Sequence, residues 1–130
     1  MRGAYHPHEL AAHPTLPDPD LRTKSPSISP DLYPPVWSEK HDTDKAYNAC
    51  ARLLLSEIKA DIGRQVKTRG PVRIGVLFGT HNWESCGIIL KELVDNGLAV
   101  EDKGDDGKDV VRIGVDVTDR LIFGQLYGEL

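Results

Sequence analysis

One stretch constrains this chain more than any other: Val72 to Ser85, VRIGVLFGTHNWES, alternating apolar residues that end in a polar turn and enter a helix. Val72, Ile74, Val76 and Phe78 are apolar at every second position, and Leu77 adds apolar surface to the other face. This predicts a strand largely buried on both sides, as in a parallel sheet. Gly79 frees the backbone, and Thr80, His81 and Asn82 follow. Asn82 suits the N-cap of the helix beyond, because its side-chain oxygen can take up a free helical N–H. Ligands of α/β proteins gather at the carboxyl ends of strands. Thr80, His81 and Asn82 therefore form a candidate site, in which histidine is the side-chain type that titrates near neutrality.

The flanking sequence extends the α/β pattern. Thr43 or Asp44 is a cap for a helix in which Ala46, Tyr47, Cys50, Leu54, Ile58 and Ile62 recur at three- and four-residue steps, with Leu53 widening the stripe. Glu57, Lys59, Asp61, Arg64 and Lys67 populate its predicted solvent side. Gly70-Pro71 stops this helix and launches the strand. After Asn82, a second stripe of Cys86, Ile89, Leu90, Leu93 and Val94 predicts a helix ended by Asn96-Gly97. Leu98–Val100 and Val110–Ile113 flank an Asp-Gly turn and predict a hairpin. The acidic turn lacks calcium-loop spacing, so an exposed turn is expected. Leu121-Ile122-Phe123 then reads as another core strand, with Gly124-Gln125-Leu126-Tyr127-Gly128 at its end. Two successive strands thus deliver polar or aromatic groups to one rim.

The first third is different. Every proline but Pro71 falls in residues 6–36, mixed with Ser, Asp and His, which predicts loop or extended chain with room for a short helix around Glu9 to Ala12. His6, His8 and His13 lack a Cys or carboxylate partner in ligand spacing, so a solvated histidine-rich loop is expected and no metal. A loop of this length is a covering segment or disordered. Trp37 can anchor its end by burial, and Lys40 can meet a phosphate or stay solvated. Arg2 to Tyr5 reads on its own as a loose terminus.

With 130 residues the chain is one domain, and 39% hydrophobic with 28% charged residues allows a folded core. The net charge of −4 argues against nucleic acid or an anionic membrane as main partner. No apolar run approaches the roughly 20 residues of a membrane span. Cys50 and Cys86 fall on apolar helical faces and are expected as buried thiols of a reducing compartment. No secretory or transit peptide is visible.

A resemblance joins these pieces. Arg2-Gly3-Ala4-Tyr5, Lys40 with Thr43-Asp44, Tyr47 to Leu55, Gly79-Thr80-His81-Asn82 with Ser85, and Phe123 to Gly128 come in the order seen in proline dehydrogenases. The chain resembles their eukaryotic, fungal type. The resemblance implies a distorted (β/α)8 barrel of the TIM type that binds FAD, oxidises L-proline to Δ1-pyrroline-5-carboxylate and passes electrons to quinone. It also implies the matrix side of the inner mitochondrial membrane, with peripheral membrane association of the full-length enzyme. By this resemblance Gly3 and Ala4 run along the flavin, and Ala4 and Tyr5 lie beside the substrate. Lys40 and Thr43 approach the cofactor, as do Thr80, His81, Asn82 and Gln125, and Leu126 packs on the proline ring. The flavin carries the hydride step, and the substrate amine must be neutral, so no covalent nucleophile is needed.

A (β/α)8 barrel usually takes 200 residues or more. The resemblance therefore places this chain at about strands four to six with the helices between, a truncated barrel carrying a longer Pro/His-rich insert at 6–36. The family's paired arginines, which hold the proline carboxylate, have no counterpart, since no Arg-Arg occurs. Open strand edges and an uncovered interior would favour aggregation or a complementary fragment. The alternatives are thus a non-catalytic remnant or partner-binding fragment, and an unrelated α/β binding domain with a histidine-rich loop.

Overall fold

The computed structural model describes residues 5–13, 28–29 and 33–125. Its contacts divide the chain into two units, Met1–Ala46 and Tyr47–Leu130.

In the first unit, α1 (Tyr5–Ala12) takes the place of much of the expected histidine loop. Pro7 sits in its first turn, where a missing N–H costs no helical bond. The segment is not simply solvated: Glu9 and His13 are buried, and His6 Nε2 lies 2.6 Å from the Trp37 carbonyl oxygen. Glu9 accepts the Ile28 N–H at 3.2 Å, which gives its buried carboxylate a hydrogen-bond donor. Trp37 does not anchor the segment by burial, since its side chain is exposed and only its carbonyl is engaged.

The second unit is α/β. Helix α2 (Lys40–Thr68) supplies most of its length here, followed by β1 (Val76–Gly79), α3 (Trp83–Asp95), the hairpin β2 (Ala99–Lys103) and β3 (Asp109–Ile113), the short α4 (Val115–Thr118) and β4 (Leu121–Gly124). β1 and β4 pair in parallel, with Val76 opposite Leu121 and Gly79 opposite Gly124. β2 and β3 pair antiparallel around the predicted turn, where Gly107 adopts φ 76°. One core joins Ala51, Leu55 and Ile58 of α2 with Phe78, Ile89, Leu93, Val117 and Leu121. No helix among the described residues is long and apolar enough to cross a membrane.

Local signals explain the boundaries. The Asn82 side chain accepts the Glu84 N–H at 3.0 Å and starts α3. At the other end the Gly97 N–H meets the Val94 carbonyl and the Leu98 N–H the Leu93 carbonyl, with Gly97 at φ 72°. This is a Schellman ending closed by two buried leucines. Helix α2 ends at Thr68, and Arg69 rather than the expected Gly70 takes the left-handed conformation, at φ 50°.

Five expectations change. Thr43 and Asp44, expected to cap α2, lie inside it, because the helix already begins at Lys40. The strand predicted from Val72 begins only at Val76. Pro71 has no N–H to pair, and the Arg73 N–H is spent on the Asp61 carboxylate at 3.0 Å rather than on a neighbouring strand. The sheet is buried on one face only: Phe78 and Leu121 are covered, whereas Leu77 and Ile122 are 64% and 60% exposed. Tyr47, Leu54, Ile58 and Ile62 of the expected α2 stripe do pack in or against the core, but the buried positions also include Ala51, Leu55 and Asp61, while Leu53 and Cys50 are exposed and Cys86 is only partly covered. Asp61, expected in solvent, is buried.

Asp61 sits in a buried polar knot. Its Oδ1 is 2.5 Å from Arg64 Nη2, and its Oδ2 is 3.5 Å from Nη2 of Arg120, which is also buried and hydrogen-bonded to Gln65. Arg64 also donates to the Pro71 carbonyl at 2.6 Å, and the Val76 N–H to the Arg120 carbonyl at 2.7 Å. The knot thus ties α2 to the amino-terminal ends of both parallel strands. The Arg73 N–H and the Arg64 guanidinium hold the Asp61 carboxyl below its ordinary value of about 3.8.

Two outcomes follow from this packing. Leu55→Ala removes a fully buried side chain and lowers unfolding free energy by about 2–5 kcal/mol in urea titration. Because the folded pKa of Asp61 is depressed, its contribution is present above the unfolded value and is lost as pH falls through the folded one. Asp61→Asn therefore lowers the thermal midpoint at pH 7, and its gap to the wild type narrows below about pH 4.

Candidate functional site

Both parallel strands end alike, Leu77-Phe78-Gly79 and Ile122-Phe123-Gly124. Paired in register, they lay like residues side by side. Alternation sends Phe78 and Phe123 to one face, their rings 5.9 Å apart, and Leu77, Gly79, Ile122 and Gly124 to the other.

On the Leu77 face a hollow of about 380 Å³ is lined by Leu77, Gly79, Thr80, His81, Gly124 and Gln125. Its floor is the pair of glycines. A Cβ on Gly124 would stand 3.3 Å from Leu77 Cδ2 and one on Gly79 3.7 Å from the same atom, so the Leu77 side chain packs over both glycines and a side chain on Gly124 would have to displace it. On the opposite face a second hollow of about 400 Å³ lies between the phenylalanines and α3, with Trp83, Cys86 and Leu90 in its wall.

Hydrogen bonds hold the rim. The Thr80 N–H donates to the Gly124 carbonyl at 3.2 Å and continues the ladder one step beyond the strands. Thr80 Oγ1 accepts the Asn82 N–H at 3.0 Å, and Asn82 Oδ1 caps α3. Asn82 Nδ2 is buried and has no hydrogen-bond partner among the described residues. His81 and Gln125 are exposed at the mouth. Tyr47, on the α2 stripe, donates its hydroxyl to the Gly79 carbonyl at 3.3 Å. Burial, and to a smaller extent the nearby Cys86, push the Tyr47 hydroxyl above its ordinary value, which favours its protonated, donating form.

The structure thus brings Thr80, His81 and Gln125 to one hollow, with Asn82 beside them at the cap. Lys40 opens α2 with its ammonium 2.5 Å from Asp44, and Thr43 Oγ1 donates to the Glu39 carbonyl at 3.4 Å. Both belong to the first unit. Gly3, Ala4 and Leu126 lie outside the described residues, as does the side chain of Tyr5, which begins α1. Leu77, Gly79 and Gly124 were not among the expected site residues. The doubled aliphatic-Phe-Gly ending was the signal for them. Among the described residues no three His, Cys, Asp or Glu side chains gather as a metal site.

Residues 27–128 match the model of a known family, proline dehydrogenase. This chain belongs to the proline dehydrogenase family. Family membership makes it a dehydrogenase sequence of proline metabolism. The match covers both parallel strands, α3 and the hairpin, and begins after Arg2–Tyr5. No curated protein and no solved structure gives a match.

Asn82→Ala removes the cap and lowers unfolding free energy by about 0.5–2 kcal/mol, whereas Asn82→Asp keeps the accepting oxygen and most of the stability. Urea titration of the two variants distinguishes them.

Proposed function

We propose that this chain is the part of a flavin-dependent proline dehydrogenase that forms one rim of its cofactor site, within a (β/α)8 barrel. The observation that carries the proposal is the glycine floor: Gly79 and Gly124 abreast, with Thr80, His81 and Gln125 above them. Two glycines in register leave backbone where side chains would otherwise stand, and a flat ring system needs such a surface for close approach. The residues fit that group. Neither glycine carries a side chain, Leu77 packs over both of them and gives the hollow its apolar surface, and Thr80, His81 and Gln125 bring polar groups to its lining.

FAD, when bound, supplies the uptake of hydride from the carbon beside the proline nitrogen. The protein's part is binding and orientation. The glycine pair sets the depth of approach, Leu77 excludes water from one side, and Thr80, His81 and Gln125 provide the polar contacts. The product is Δ1-pyrroline-5-carboxylate, and quinone takes the electrons on the matrix side of the inner mitochondrial membrane. A cofactor role for Gly3, Ala4, Lys40 and Thr43, and a substrate role for Ala4, Tyr5 and Leu126, rest in this proposal on the family resemblance alone.

A second reading has an observation in its favour. Among the described residues β1 and β4 pair only with each other, and Leu77 and Ile122 stay exposed on the face a barrel would enclose. A chain in this state is a non-catalytic fragment that takes up flavin or a complementary segment without turning over.

Titration with FAD, followed by quenching of flavin fluorescence, tests the proposal. The wild type binds, and Gly124→Val, which fills the floor, weakens binding by about tenfold or more while circular dichroism stays unchanged. Absence of binding by the wild type rejects the cofactor site. Binding without reduction by L-proline selects the fragment reading.

A further inference from the structure

One hydrogen bond of the rim comes from outside the strand ends. The peptide joining Gly79 to Thr80 is held at both poles: its carbonyl accepts the Tyr47 hydroxyl at 3.3 Å, and its N–H donates to the Gly124 carbonyl at 3.2 Å. A trans peptide is planar, with carbonyl and N–H pointing opposite ways, so two bonds in line fix its rotation. Gly79 has no side chain to resist such a rotation. Everything beyond depends on this plane. Thr80 Oγ1 takes the Asn82 N–H, Asn82 takes the Glu84 N–H, and His81 stands between them.

We infer that Tyr47 is a positioning residue for the cofactor rim: its hydroxyl sets the Gly79–Thr80 peptide and, through it, the level of the glycine floor and the direction of the Thr80-His81-Asn82 turn. Tyr47 is suited to this. Its ring packs against the core, so the hydroxyl is delivered from a fixed base rather than from a mobile side chain. It lies on α2, which is anchored at its far end by the Asp61 knot, so the rim is referenced to the helix as well as to the sheet. The functional half of this inference rests on the flavin proposal; the structural half does not.

Tyr47→Phe keeps the ring and removes the donor. Amide hydrogen exchange of the flavin-free protein is compared at Thr80, Asn82 and Glu84 and at the core amides of Ile89 and Leu93. The expected result is exchange faster by about fivefold to tenfold at Thr80 and Asn82, the factor of one ordinary hydrogen bond, with Ile89 and Leu93 unchanged. Unchanged rim amides, or an equal rise at the core amides, overturn the inference. With FAD added, the variant shifts the visible absorption band of the bound flavin relative to wild type. Identical bands and equal affinity overturn the positioning role. A wild type that takes up no FAD rejects the flavin proposal, and exchange in the flavin-free protein then decides the case of Tyr47.

Discussion

The parallel pairing of β1 with β4 is the constraint on which the second unit depends. Four residue pairs hold it, and parallel strands cannot be joined by a tight turn. The chain between them must leave the sheet and return, and it does so through α3, the hairpin and α4. Hydrogen bonds extend the ladder at both ends, from the Val76 N–H to the Arg120 carbonyl and from the Thr80 N–H to the Gly124 carbonyl. A slip of one residue would exchange the faces, exposing Phe78 and turning the glycine floor into the core.

The register is referenced at the amino-terminal end by the Asp61 knot. A buried carboxylate between two arginines does not by itself stabilise a fold, because both charges lose water. Its value here lies in direction. Asp61 accepts the Arg73 N–H as well as the Arg64 guanidinium, and Arg120 occupies a fully covered position between Asp61 and Gln65. This placement of α2 over the strand ends brings Asp61 and Gln65 to the Arg120 guanidinium, although its Nε, also buried, has no hydrogen-bond partner among the described residues. Removing one member would leave the others buried without partners, which is the costly situation.

The elements read most easily in the sequence were those closed by local chemistry. Asn82 as cap, Asn96-Gly97 as stop and the Asp-Gly hairpin depend on neighbours within a few residues, and the structure has all three. The rim of Thr80, His81 and Gln125 was legible because strand ends carry it and alternation locates those ends. Long-range effects were not legible. The late start of β1 depends on Asp61, twelve residues before Arg73, and Asp61 looked like one charge among several on a polar face. The covering of Leu55 rather than Leu53 followed for the same reason: the two are equally apolar, and only the partner surface decides which is covered. Tyr47 read as a core aromatic, and its hydroxyl bond to Gly79 joins residues 32 apart.

The two pairs of strands differ in how they meet other chains. The hairpin carries Asp102 against Arg112 and Lys103 against Asp109, and with Glu101 has five charges on ten strand residues. β1 and β4 carry none in Val76–Gly79 and Leu121–Gly124. Charged side chains obstruct edge-to-edge docking, and uncharged apolar edges invite it. Those eight residues are thus the unguarded ribbon of the second unit, and a lysine placed there would do for its edge what Lys103 does for the hairpin.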